Sequence, residues 1–434
     1  MDDFLRKYEE SERGGVLEAG LYLMEQFEAW RADGMPSDAR GWMLFTKRRM
    51  LYAAALDWIA RHDAEAAEYC LDGFDFLMER TAGGTIVHAA FTRGIVHYMK
   101  GDYAAAEKQL RLFIALYSAN DKDELAWFWL GNALFRQNKW ADTIDAYQKA
   151  IEIRPHFREA VINSAVVAMR LGDEAAAHAI LRSIGADEEG EFTRDDIIDD
   201  VALSSYALPK SMDVYDVPIF INARDRVVCL ERLVDWLVNA GYRRIYILDN
   251  DSTYEPLLQY YERLDKNDAV RVVRFDKNYG HTAIWDSGVL KALNVRTPYI
   301  YTDPDVLPVD DCPKDFVARL WRVLEKYPYL TKAGPGLLYS DITFDEAEQK
   351  KRWEAQWYEC RPEDDVYFAA VDTTLALYRN IYHYHIDVAA RTTGRIMMRH
   401  LPWYYRFDAL PDDERYYIAH ANGSSSIKKE HEKR

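Results

Sequence analysis

Apolar positions in the first 185 residues recur at helical spacing, and from Val214 onward they gather instead into short runs. In the clearest helical stretch Trp127, Leu130, Gly131 and Leu134 share one helix face. Trp140, Thr143, Tyr147 and Ala150 share another, and Pro155 ends the unit. Advancing 34 residues, from Trp127 to Val161, finds Val161, Ala165, Ala168, Gly172, Ala177 and Leu181 in corresponding places. Going back 37, from Gly131 to Gly94, finds Gly94, Gly101, Tyr103, Ala106 and Leu110. A degenerate copy, Leu51, Ala55, Trp58, Ala67 and Leu71, precedes it. Small residues returning at a near-fixed period predict stacked helix pairs rather than a generic bundle, because each small residue lets two helices approach closely.

This spacing resembles the tetratricopeptide repeat (TPR). The resemblance implies a TPR-like helical solenoid over residues 1–185, with a groove that binds a glycan or protein acceptor. A spacer or a homodimer contact is the competing expectation. Residues 186–212 read as a linker: Glu188, Glu189 and Glu191 and the acidic run Asp195 to Asp200 interrupt the repeat, and a capping or connecting helix is expected over 197–208.

The second half alternates element types. Strands are expected at Val217–Ile221, Tyr242–Leu248, Val270–Phe275 and Tyr299–Thr302, with helices at Leu230–Ala240, Pro256–Leu264 and Thr282–Leu293. That succession predicts an α/β domain over 213–427, built on a mostly parallel, Rossmann-like sheet, whose ligands bind beyond the carboxyl ends of the strands. Polar residues cluster there: Asn222 to Asp225, Asp249 to Ser252, Asp276 to Gly280, and Asp303 to Asp305. Carboxylates on neighbouring loops repel one another unless a cation or polar ligand organises them. Taken singly, each loop also reads as ordinary turn chemistry.

The whole second half resembles the GT-A fold of nucleotide-sugar-dependent glycosyltransferases, family 2-like enzymes above all. Asp303-Pro304-Asp305 matches their DXD motif, which implies that Asp303 and Asp305 hold Mn²⁺ or Mg²⁺ against the donor diphosphate. The resemblance assigns Asp249 and Asp251 to the nucleoside and Asn222 and Arg224 to the loop beneath the base. It assigns Asn278, Gly280 and Asp286 to the donor-side loop and helix. The blocks Lys332–Asp341, Phe368–Tyr378 and Arg399–Tyr404 look like those of bacterial enzymes of surface-glycan assembly. Asp372 is the implied general base of an inverting transfer, with Asp341 as the alternative. His400 is the implied third metal ligand, with His420 competing. Trp353, Trp357, Tyr358, Trp403, Tyr404 and Tyr405 suit sugar stacking or an ordinary core. A retaining reaction stays open, as does a non-catalytic scaffold carrying a degenerate GT-A domain. A nucleotidyltransferase is disfavoured, because the loop Asn222 to Arg226 has no glycine.

Charge and composition narrow the partners. The chain has 434 residues and a net charge of −17, which excludes a nucleic-acid partner but not a nucleotide bridged by a cation. Four scattered cysteines form no metal or disulfide pattern, and no apolar run is long enough to span a bilayer. The acidic start, Met1-Asp2-Asp3, lacks a secretory pattern, so a cytoplasmic location is expected. Residues 428–434 read as a charged tail.

Overall fold

The helix pairs expected from the repeat are present in the computed structural model. It describes residues 6–7, 10–11, 15–33, 48–78, 88–116, 120–185, 195–342, 348–355, 357–358 and 360–421. After Val16–Asp33 come the pairs Arg48–Ala60 with Ala64–Met78, His88–Met99 with Tyr103–Leu116, Glu124–Arg136 with Trp140–Ile153, and Arg158–Arg170 with Glu174–Arg182. Gly131 and Gly94 sit where the two helices of a pair touch, whereas Gly101 and Gly172 lie in the turns at positive φ. A Cβ on Gly131 would fall 2.5 Å from the Tyr147 ring, and one on Gly94 would fall 2.7 Å from Leu110.

The linker departs from expectation. Residues 197–203 hold no helix, and a single 3₁₀ turn, Ser204–Tyr206, stands where a capping helix was expected over 197–208. Its backbone bonds to repeat side chains instead, so it has no need of a helix. Ile198 N–H donates to Asn163 Oδ1 (2.6 Å), while Asn163 and Asn132 both donate to the Ile198 carbonyl (2.9 and 3.2 Å). Arg136 reaches Asp196 (2.9 Å) and Asp199 (2.7 Å), and Glu159 accepts from the Ser204 hydroxyl and Ser205 N–H (2.6 and 2.8 Å). These partners lie on Glu124–Arg136 and Arg158–Arg170, and Tyr98 of His88–Met99 adds a bond to Asp199 (2.8 Å). The face formed by the first helices of three successive pairs is thus filled by the chain's own connector. An acceptor seated on that face would have to displace it, which corrects the simple picture of an open groove.

The sheet domain begins with β1 (Ile219–Ala223), β2 (Ile245–Asp249), β3 (Val270–Arg274) and β4 (Tyr299–Thr302). It continues with β5 (Val306–Pro308), β6 (Lys332–Leu337), β7 (Val366–Phe368), β8 (Ala376–Tyr378) and β9 (Ala389–His400). The order is β3-β2-β1-β4-β8-β6-β9-β5, with β7 pairing β9. Strands β3-β2-β1-β4 are parallel, as expected. Beyond β4 the sheet is mixed, because β8 runs antiparallel to β4 and β6, and β5 and β7 run antiparallel to β9. The helix expected over 282–293 is broken into Ala283–Asp286 and Val289–Ala292 by Gly288, whose φ is +72°. Buried side chains from the repeats and from the sheet belong to one contiguous apolar cluster.

Register fixes the strand ends. Ile221 pairs with Thr302 and Ala223 with Asp249, so Asn222 comes level with Asp303 at one edge. The chain leaves β1 for β2 on one side and returns to β4 on the other, and this reversal is where open α/β sheets accept ligands.

Candidate active site

The loop Asp303-Pro304-Asp305 follows β4 and is tied to the loop before β8. Asp303 N–H donates to the Thr373 carbonyl (2.9 Å), and the Thr373 hydroxyl donates to Asp303 Oδ2 (2.7 Å). Asp372, exposed beside Thr373, accepts from the Tyr384 hydroxyl at Oδ1 (2.6 Å). Burial, and after it the charges of Asp305 and Asp372, push the Asp303 carboxyl well above the usual range. The structure therefore brings Asp303, Asp305 and Asp372 together.

Asp305 is buried. Its Oδ2 accepts from Arg226 Nη1 (2.7 Å) and lies 3.6 Å from His400 Nε2, while its Oδ1 has no hydrogen-bond partner among the described residues. Arg226 is buried as well. Its second nitrogen donates to Glu414 (2.6 Å), and its guanidinium packs 3.9 Å from the centre of the Tyr417 ring. Glu414 belongs to the helix Asp412–His420, whose Asp413 accepts from Val228 N–H (2.8 Å). A carboxylate at that helix N-terminus is favourable. Arg226 and Glu414 escaped the sequence reading. The hint was the charged pair Asp225-Arg226, placed just before a helix.

The loops after β1, β2 and β3 fasten onto one another. Asn222 and Asn250 both donate to the Gly280 carbonyl (3.2 and 2.9 Å), Asn278 accepts from Gly280 N–H (2.8 Å), and Gly280 has φ +75°. Asn222 Oδ1 is buried without a partner. Arg224 donates to the Asn250 carbonyl (3.3 Å), and Asp251, half-buried, holds φ +63°. Asp249 is turned inward: Arg274 (2.9 Å), the Tyr261 hydroxyl (3.2 Å) and Ser252 N–H (3.3 Å) occupy its carboxylate. Asp286 accepts from Thr282 (2.6 Å) and from Lys122 of the repeat half (2.5 Å).

The alternatives lie elsewhere. Asp341 is exposed and accepts from Tyr404 (2.7 Å) and Arg399 (3.1 Å). The exposed His420 stacks on Tyr416 at 4.0 Å and donates to its carbonyl. Among the aromatics, Tyr358 donates to the Leu337 carbonyl (3.1 Å), and Trp357 sits between Arg49 (4.9 Å) and Arg391 (5.4 Å). The Trp353 side chain, the stretch from 422 to 427 and the tail 428–434 lie outside the described residues.

Comparison with known proteins supports the first half most directly. Residues 125–157 match the tetratricopeptide repeat. A peroxisomal targeting signal receptor of Candida glabrata is 34% identical over 101 residues, covering 23% of this chain and only 17% of the receptor. Among solved structures, MamA from Desulfovibrio magneticus RS-1 covers 44% of this chain and 97% of its own, at 18% identity and a TM-score of 0.32. A mannosyltransferase from Pyrobaculum calidifontis, solved with GDP-Man and Mn²⁺, covers 51% of this chain and 56% of its own, at 16% identity and a TM-score of 0.26. No helix among the described residues is long and apolar enough to cross a membrane.

Proposed function

We propose that the second half is a glycosyltransferase that moves a sugar from a nucleoside-diphosphate donor to a glycan or protein acceptor. One observation carries this reading. Asp303, Asp305 and Asp372 converge outside the ends of β4 and β8, beside the strand-order reversal between β1 and β4.

The donor set fits a hard divalent cation. Asp303 is unfavourable as an isolated anion there, and the buried Oδ1 of Asp305 needs a partner. Asp303 and Asp305 would hold Mn²⁺ or Mg²⁺, with His400 as a nitrogen ligand. When bound, such a cation neutralises charge that develops on the leaving diphosphate. The chain's own residues do the positioning. Asn222, Arg224, Asp251, Asn278 and Gly280 form the nucleoside side of the cleft. Asp249 shapes the β2 loop from inside, and Asp286 ties the donor side to the repeats. The Tyr384 hydroxyl fixes Asp372 through Oδ1 and leaves Oδ2 to take the acceptor proton, which gives a single displacement with inversion. The repeats brace the connector and the sheet, and acceptor docking uses surfaces other than the connector-filled face.

A second reading has one observation behind it. Arg226 already neutralises Asp305 from within, as expected of a scaffold that needs no metal or of a cation-independent site. Turnover of a nucleotide sugar with Mn²⁺ and with EDTA separates the two. Metal-dependent transfer supports the first, and equal activity in EDTA or no donor binding at all supports the second.

A further inference from the structure

A second set of ligating side chains lies between the repeats and the sheet and has no part in sugar transfer as proposed. His88 opens the helix His88–Met99, Asp123 caps Glu124–Arg136, and His383 follows β8. All three are buried, and one ligating atom from each lies within 4.8 Å of the others. His383 Nε2 is 3.3 Å from Asp123 Oδ2, and His88 Nε2 is 3.9 Å from the same oxygen. Two ligands on a tetrahedral ion, each about 2.0–2.1 Å from it, stand roughly 3.3–3.4 Å apart. The His383–Asp123 pair already has coordination spacing, the His88–Asp123 pair needs a shift of about half an ångström, and the His88–His383 pair lies within 4.8 Å and closes with it.

The surroundings point the same way. Glu124 Oε2 lies 2.6 Å from His383 Nδ1, which holds a proton on Nδ1 and turns Nε2 toward Asp123, where a metal ion would take the place of a second proton. The other Glu124 oxygen accepts from the Tyr206 hydroxyl (2.9 Å) and Tyr382 N–H (2.8 Å), which locks the carboxylate that orients the imidazole. An independent observation comes from His385. Its Nδ1 donates to the Asp387 carbonyl (2.8 Å), so Nε2 carries a lone pair, and this buried atom has no partner among the described residues. Its ring centre lies 5.1 Å from that of His88 and 5.2 Å from that of His383.

We propose that His88, Asp123 and His383 bind one divalent transition-metal ion of the zinc class, with water as the fourth ligand and His385 beside the set. Imidazole nitrogens with a single carboxylate suit such an ion far better than Mg²⁺ or Ca²⁺, which prefer oxygen. The ion joins two helix pairs of the repeat array to the loop after β8. Tyr384, the neighbour of His383, donates to Asp372. The clamp thereby positions the residue that orients the candidate base, a consequence that rests on the proposed sugar transfer, whereas the metal site itself does not.

Full-length protein, stripped with chelator and reloaded, is tested with Zn²⁺ by mass spectrometry of bound metal and with Co²⁺ by visible absorption. About one Zn²⁺ per chain and the intense bands of four-coordinate Co²⁺ are expected. His88→Gln and Asp123→Asn, the latter keeping a competent helix cap, each weaken Zn²⁺ binding at least about tenfold. In Asp305→Asn, which removes a ligand of the donor-site cation, one tightly held Zn²⁺ per chain and the four-coordinate Co²⁺ bands remain. The proposal is overturned if the wild type takes up no stoichiometric Zn²⁺, which leaves a proton shared by His383 with Asp123 and Glu124. It is also overturned if the Co²⁺ spectrum is that of a six-coordinate ion, or if Asp305→Asn abolishes uptake while His88→Gln does not. The wild-type Co²⁺ spectrum decides the matter even where a variant does not fold.

Discussion

Replacing Arg226 by Met tests the ion pairing that underlies the candidate site. Arg226 lies between two buried carboxylates, 2.7 Å from Asp305 and 2.6 Å from Glu414. Methionine keeps much of the apolar stem but leaves both acids without their cation. Breaking a buried pair by removing one partner costs about 3–5 kcal/mol, because the charge left behind is uncompensated. Here two charges are left behind, partly relieved by protonation, and burial already raises the Glu414 pKa even with the arginine present. A loss near the upper end, about 5 kcal/mol, is expected for the sheet domain at neutral pH. Urea unfolding followed by circular dichroism measures it, and hydrogen exchange of Asp412–His420 reports release of the C-terminal helix. Two further results follow from the same reasoning. Glu414→Gln in the Arg226→Met background restores part of the stability, and Mn²⁺ stabilises Arg226→Met more than the wild type, because Asp305 is then open to the metal. A loss below about 1 kcal/mol, the scale of an exposed pair, together with an unchanged Mn²⁺ response, would refute the reasoning.

Asn163→Ala removes its two hydrogen bonds to the Ile198 peptide and leaves the longer one from Asn132. It should cost about 2–3 kcal/mol locally and speed hydrogen exchange and proteolysis over residues 195–206, whereas unchanged protection there contradicts a docked connector. Glu159 gives the connector a pH dependence. Burial raises its pKa, but hydrogen bonds from Ser204 and Ser205 outweigh that and hold it below the usual range. Its contribution is therefore complete above the unfolded glutamate value and is lost as pH falls through the lower folded value. The protection factor at Ser204–Tyr206, which corrects exchange for its intrinsic pH dependence, should fall on acidification in the wild type and be nearly pH-independent in Glu159→Gln; parallel profiles would count against the assignment. Asp372→Asn should lower kcat about 10²–10⁴-fold while donor affinity holds, and a variant that keeps most of its turnover removes Asp372 as the base.

Much of this fold was legible because periodicity is local. Tyr299–Thr302 was read to the residue, and the other three strands of the parallel half within a few positions of their ends. Gly131 and Gly94 revealed the helix pairing because close packing demands small residues at those offsets. The break at Gly288 was hidden, since apolar spacing continues across a residue whose φ has changed sign. What remained invisible was long-range. Asp372 reaches Asp303 only because β8 runs antiparallel to β4, so Thr373 meets Asp303 across 70 residues of sequence. Arg226 and Glu414 are 188 residues apart, and no local pattern couples them. His383-Tyr384-His385 was a visible signal, but His88 and Asp123 join it only when the repeats dock. The connector misled for a related reason. Its sequence fits a helix, and the side chains that hold it extended, Asn132, Asn163 and Arg136, lie in another part of the chain.

The central claim is a cation-assisted nucleotide-sugar site built on Asp303 and Asp305, and donor binding by calorimetry tests it most directly. A panel of uridine, guanosine and thymidine diphosphate sugars is titrated into the full chain with Mn²⁺ or EDTA, alongside Asp305→Ala. Asp305 is buried against Arg226, so the unfolding transition of the variant is checked in the same buffer. The account predicts saturable binding of one donor class with Mn²⁺, and its loss both in EDTA and in Asp305→Ala while the fold persists. Donor affinity that is the same in EDTA and in the folded variant, or no binding of any donor with Mn²⁺, would contradict it.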